Sequence, residues 1–109
     1  MTELIYFSKK IYNKIDTMIP KMQECKLPLL KYLSDKKVHS LKECTEAMAK
    51  AFNLSNEERM LLTPCGKTTA IHHRTGWAKW NLEQEGLLKT VSRGRYIITD
   101  EGIQFLKRS

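Results

Sequence analysis

Residues 68–99, TTAIHHRTGWAKWNLEQEGLLKTVSRGRYIIT, change their hydrophobic period once, and that change restricts the folds open to the chain. In the first half Ile71, Thr75, Ala78 and Leu82 recur at helical spacing and share one narrow arc. In the second half Leu87, Leu88 and Val91 make a strand-like run, SRGR a tight polar turn and YIIT a return strand. Gly94 suits the turn because it can take a positive φ. A helix that buries one arc and runs through Gly-Leu-Leu into a hairpin presents its other face, with the hairpin extended beside it. The helix starts near Thr68 or Thr69. Gly76 costs about 1 kcal/mol relative to Ala in a helix interior, so it marks a close backbone approach or a bend.

Upstream, residues 3–16 carry Leu4, Phe7, Ile11 and Ile15 at helical spacing, an amphipathic segment suited to pack on the rest of the domain or on a second copy of the chain. Residues 19–34 form the next helix, through Met22, Leu29, Leu30 and Leu33. Pro20 suits its first turn, and Pro28 is expected to kink or break it. DKKVHS reads as a turn and a short extended piece. Ser40 with Glu43, and Ser55 with Glu58, are capping boxes. The first opens a helix burying Leu41, Cys44, Met48 and Ala51 or Phe52, and ending at Asn53. The second opens a short helix through Met60, Leu61 and Leu62, and LTPCGKT is a loop. Asp100 or Thr99 caps a last helix with Ile103, Phe105 and Leu106. The fold class expected is mainly α with a small β-hairpin, a winged helix-turn-helix with an extra N-terminal helix and an inserted short helix. Residues 1–18 are the N-terminal amphipathic helix and residues 19–109 the winged-helix domain.

A chain of 109 residues, 41% apolar and 28% charged, supports one small core and leaves little for a deep substrate cavity. The net charge is +7. From Lys67 to Arg95 six basic residues stand against two acidic ones, so most of that excess lies in about a quarter of the chain. Such an excess fits a polyanionic partner, nucleic acid first, and also a plain solubilising surface. Three cysteines with no C-x-x-C pair read as reduced thiols, Cys25 and Cys44 as core residues. No run approaches the ~18 apolar residues of a membrane span. A cytoplasmic location with no membrane contact is expected.

His72 and His73 are adjacent, so they point about 100° apart on a helix and do not form a ligand pair. No metal or cofactor is expected. Both histidines suit phosphate or base contacts near the helix start, and equally a solvated or core-edge place. Arg93 and Arg95 flank the turn glycine and fit a phosphate or minor-groove contact. Lys67, Thr68 and Thr69 precede the helix, whose first N–H groups suit a phosphate. Arg74 and Lys79 add positive charge on the helix. Trp80 points away from the buried arc, where it either packs or touches DNA, and Trp77 reads as core. The acids lie on helices and turns, with no Gly-rich phosphate loop or nucleophile elbow, so no catalytic residue is identified.

IPKMQECKLPLLKYLSDKKVHSLKE, LSNEERMLLTPCGKTTAIHHRTGWAKWNLEQEGLL and RGRYIITDEG together resemble the N-terminal domain of the Mrr family of restriction proteins, over about residues 19–107. The most specific parts are Pro64-Cys65-Gly66-Lys67, the stretch from Arg74 to Lys79, and the GLL–RGRYIIT wing. The chain departs from the family pattern at Trp80-Asn81, where Thr-Tyr is expected. The resemblance implies a winged helix that binds double-stranded DNA, joined in the parent protein to a nuclease domain that cleaves DNA with foreign methylation. The third helix would then enter a major groove and the wing touch the backbone. Five cations on phosphates, Lys67, Arg74, Lys79, Arg93 and Arg95, set an expected log–log salt slope of about −4 to −5. Two other readings stand beside it: a protein-association module, dimerising through residues 1–18, and a stand-alone transcription regulator.

Overall fold

The structure, a computed structural model, describes residues 18–108. It is mostly helical, with a small antiparallel sheet. In chain order the elements are α1 (Met22–Tyr32), a 3-10 turn (Leu33–Asp35), β1 (His39–Ser40), α2 (Leu41–Ala51), α3 (Asn56–Arg59), α4 (Ala70–Gln84), β2 (Leu88–Ser92), β3 (Arg95–Ile98) and α5 (Asp100–Arg108). The arrangement is consistent with a winged-helix-like α/β fold. The sheet has three strands in the order β1-β3-β2. The third strand arises because His39 and Ser40 pair with Tyr96 and Arg95, covering the edge of β3 that a bare hairpin would leave open. The amphipathic segment at residues 3–16 lies outside the described residues.

Side-chain caps define the helix starts. Ser40 Oγ accepts the Glu43 N–H at 3.1 Å while Glu43 accepts the Ser40 N–H at 3.2 Å. Ser55 and Glu58 repeat the exchange at 3.1 and 2.8 Å. The Thr69 hydroxyl accepts the His72 N–H at the head of α4. Thr99, rather than Asp100, caps α5: its hydroxyl accepts the Gly102 N–H at 3.1 Å and donates to the Gly86 carbonyl at 2.6 Å. Asn53 follows α2 at φ 51°, a left-handed conformation asparagine tolerates better than most residues.

The core lies where α4 packs against α1 and α2. Ile71, Thr75, Ala78 and Leu82 are all buried, as the helical spacing requires, and they meet Cys25, Leu29, Leu30, Cys44 and Met48. The one polar group on this arc is satisfied locally, since the Thr75 hydroxyl donates to the Ile71 carbonyl at 2.8 Å. Burial pushes the Cys25 and Cys44 thiols up to about 11 and about 12, so both behave as small apolar residues.

Several local expectations are corrected. α1 runs through Pro28 unbroken and begins at Met22, with Pro20 outside it. A proline removes one backbone donor from a helix, and the buried Cys25, Leu29 and Leu30 on either side hold the turn. α3 stops at Arg59 because Leu61 and Leu62 are drawn into the closure of the next loop. Leu62 bridges Thr69, and the Leu61 carbonyl accepts the Ala70 N–H at 2.7 Å. On α2 the buried residues are Cys44, Met48 and Ala49, with Ala51 exposed. Val91 and Phe105 fall in β2 and α5 as expected, and both are nearly half exposed.

The tight glycine is not the one in α4. A Cβ at Gly76 would meet only Leu41 Cδ2, at 3.9 Å, whereas one at Gly102 would lie 2.4 Å from the Leu87 carbonyl oxygen and 2.6 Å from Ile98 Cγ1. Gly102 therefore seats α5 on the point where α4 passes into the sheet. Gly102→Ala should destabilise the fold by about 1–3 kcal/mol or more. Gly76→Ala should instead stabilise it by up to about 1 kcal/mol. Urea unfolding of the two variants checks this, and equal effects would refute the packing assignment.

Candidate nucleic-acid interface

The outer face of α4, the loop before it and the start of α2 enclose an open groove of about 760 Å³. Six sequence candidates line it: Lys67, Thr68, His72, His73, Lys79 and Trp80, joined by Leu41, Gly76 and Trp77. The loop is held by backbone bonds from the Thr63 N–H to the Thr68 carbonyl, 3.0 Å, and from the Gly66 N–H to the Thr63 carbonyl, 2.8 Å. Gly66 takes φ 73°, and Lys67 beside it is exposed. Cys65, also exposed, has its thiol pKa lowered by hydrogen bonds from the Thr63 hydroxyl and the Lys67 N–H.

On α4 the exposed arc is aromatic. Trp77 and Trp80 are 47% and 48% exposed, with ring centroids 5.8 Å apart and planes at 74°. The expectation that Trp77 belongs to the core is thus corrected. The four residues of the buried arc already fill the space under α4, and Trp77 lies roughly 120° around the helix from Ile71. Trp77 Nε1–H donates to His73 Nε2 at 2.9 Å. Asn81 donates to the Trp77 carbonyl at 3.0 Å.

The flanks of α4 are tied to the rest of the domain. The Thr45 hydroxyl donates to the Leu41 carbonyl at 2.9 Å and accepts from His72 Nδ1 at 3.0 Å. Lys79 Nζ lies 3.2 Å from Glu83 Oε1 and 4.6 Å from the centroid of the Tyr96 ring, so its charge is matched inside the domain. Glu83 also accepts from the Thr90 hydroxyl at 3.2 Å, joining α4 to β2. On the opposite flank the Arg74 guanidinium donates to the Pro20 carbonyl at 3.3 Å, away from the groove.

The hairpin turn adjoins the groove. Gly94 takes φ 73°, and its carbonyl accepts the N–H of Leu41, a groove residue, at 3.3 Å. Arg93 and Arg95 are both exposed beside it, with an irregularity of register between Thr90 and Ser92. The structure thus gathers the sequence candidates around one face, with Thr69 at the helix cap and Arg74 apart.

Sequence reasoning missed the network that anchors β1. His39 Nε2 lies 2.8 Å from Asp35 Oδ2, and its Nδ1 lies 3.1 Å from Glu43 Oε2. The Tyr32 ring packs at 4.7 Å. The spacing of four on both sides of His39 was the available signal. Burial works against the charged imidazole, but the bonds to Asp35 and Glu43 outweigh it, and the His39 pKa rises above 6.5. Asp35 is lowered by the Lys37 N–H and then by His39, and Glu43 is lowered first by His39. Among the described residues no three His, Cys, Asp or Glu side chains are placed to hold a metal ion, and no helix is long and apolar enough to cross a membrane.

The fold and groove define a small basic α/β module that presents one helix face beside a hairpin turn. The chain belongs to the Mrr N-terminal domain family, which it matches over residues 22–108. It is similar to the type IV methyl-directed restriction enzyme EcoKMrr of Escherichia coli (strain K12), at 30% identity over 80 residues, covering 72% of this chain and 26% of that protein. The chain therefore spans about a quarter of that relative's length. No solved structure matches it.

The His39 network has a defined pH dependence. Its folded pKa lies above the unfolded value of 6.5, so its stabilisation is full below pH 6.5 and is lost as pH rises through the folded pKa. Asp35 and Glu43 act in reverse, their contribution being lost as pH falls through their depressed values. An NMR titration should place His39 above 6.5. His39→Gln should shrink the difference in unfolding free energy between mildly acidic and alkaline buffer. An unchanged difference would remove His39 as its source.

Proposed function

We propose that residues 19–109 form a winged-helix DNA-binding domain, the DNA-recognition part of a Mrr-like, modification-dependent restriction endonuclease acting in the cytoplasm. The observation that carries this reading is the meeting of groove and hairpin turn at Leu41, with exposed cations at both ends: Lys67 on the loop, Arg93 and Arg95 on the turn. Membership of the Mrr N-terminal domain family and similarity to a restriction enzyme support it. The nuclease chemistry belongs to a different part of such an enzyme. In this domain the α4 face lies toward double-stranded DNA and the wing arginines sit on the sugar–phosphate backbone, fixing register without reading sequence. Lys79 and Arg74 hold the domain together instead.

This division changes the expected salt dependence. With Lys67, Arg93 and Arg95 as the phosphate contacts, the log–log slope for duplex binding should be about −3, shallower than a count of all five cations gives. Replacing both Arg93 and Arg95 with Ala should flatten it by about two. Fluorescence anisotropy with a labelled duplex at several salt concentrations measures both. Absence of binding at low salt, with concentration-dependent self-association in sedimentation, would favour the protein-association reading.

A further inference from the structure

Resting on the DNA-binding reading, we propose that Trp77 and Trp80 form a stacking corner for a nucleobase displaced from the duplex stack. Where α4 lines the groove, from His72 to Trp80, its exposed arc offers no free forked side chain to read paired base edges, Gln84 lying beyond the groove at the end of the helix. Arg74 is turned to Pro20, Lys79 is held by Glu83 and Tyr96, and the Asn81 amide is bonded to the Trp77 carbonyl. Reading of the major groove relies on forked donors such as Arg, Asn and Gln aimed at base edges. Here the helix offers two flat indoles instead.

Their geometry suits one flat heterocycle. At 74° the two rings make an L-shaped corner, so a base lying on one indole abuts the edge of the other. The bond from Trp77 Nε1 to His73 fixes one wall before any ligand arrives. Gly76 keeps the floor clear at a position where the domain's own packing does not require a glycine. Lys67 and Thr68 stand on the rim, where the phosphate of a displaced nucleotide would lie. Half-exposed apolar rings beside cations match the way proteins hold unstacked bases, an aromatic platform next to a positive track.

The two tryptophans are the only ones in the chain, so intrinsic fluorescence reports this corner without background. The whole chain is titrated with a fully paired duplex and with the same duplex carrying one central unpaired base. The unpaired base should quench the emission and bind about fivefold tighter or more, the factor expected of one stacked base. Trp80→Leu should erase that preference and Trp80→Phe should keep it, urea unfolding confirming that both variants fold. Arg93→Ala with Arg95→Ala should weaken both duplexes equally and leave the preference intact. Equal affinity without quenching would overturn the stacking corner while leaving DNA binding in place. No binding to either duplex would overturn the DNA reading itself. An emission shift that grows with protein concentration alone would assign the corner to a second copy of the chain.

Discussion

Everything this domain presents follows from the seating of α4 between α1 and α2. The buried arc of Ile71, Thr75, Ala78 and Leu82 sets the rotation of the helix about its own axis. Once that rotation is set, neighbouring residues have no freedom in what they face. His72 and Lys79 fall on the flank toward α2 and the sheet, and Arg74 on the flank toward Pro20. His73, Trp77 and Trp80 are left outside. Turning the helix enough to bury either indole would expose Ile71 or Leu82, and burial of such a side chain is worth about 1.5–3 kcal/mol. The aromatic face is the consequence of a core already filled by smaller residues.

The sheet converts this seating into a composite surface. β1 is only two residues long, yet it pairs with β3 and leads directly into the capped start of α2. The hairpin turn is thereby held against Leu41 instead of standing free. Lys79 and Glu83 fasten the other side, one over the Tyr96 ring and the other to Thr90. His39 secures β1 through Asp35 and Glu43, in the segment that carries the hairpin's outer pairing. Loss of any of these ties acts on the spacing between hairpin and groove before it acts on the core.

How far the sequence made this legible depended on whether the deciding contact was local. The capping boxes at Ser40 and Ser55 are exchanges within three residues, and the α4 arc is a spacing along one helix; both could be read directly. The helix is not broken at Pro28, because the restraint there comes from burial of its neighbours against other elements. α3 was drawn too long because closure of the loop onto Thr69 claimed Leu61 and Leu62. The short extended piece before Ser40 was legible, but its pairing with β3 was not, because the partner lies more than fifty residues away and a two-residue strand has no period of its own. In the candidate site the membership of the groove was legible, since most of it lies on one helix and the loop before it. The separation of Arg74 from that group, and the exposure of Trp77, depended on what else occupied each flank.

A basic residue contributes to holding a polyanion only where its charge is not already matched by the protein. Lys79 has a carboxylate and a ring within reach, and Arg74 has a backbone carbonyl, so removing either for a phosphate would cost an existing interaction. Among the described residues, the cations expected from sequence and free of such ties are Lys67, on the loop that lines the groove, and Arg93 and Arg95, on the hairpin turn that meets it at Leu41. A surface of that kind gains orientation from its two charged ends and needs further contact in between to bind tightly. On the proposed reading the two exposed indoles would supply that contact, and stacking on a base depends little on salt. In the proposed DNA complex, the weaker the counterion contribution, the more of the binding energy would come from Trp77 and Trp80.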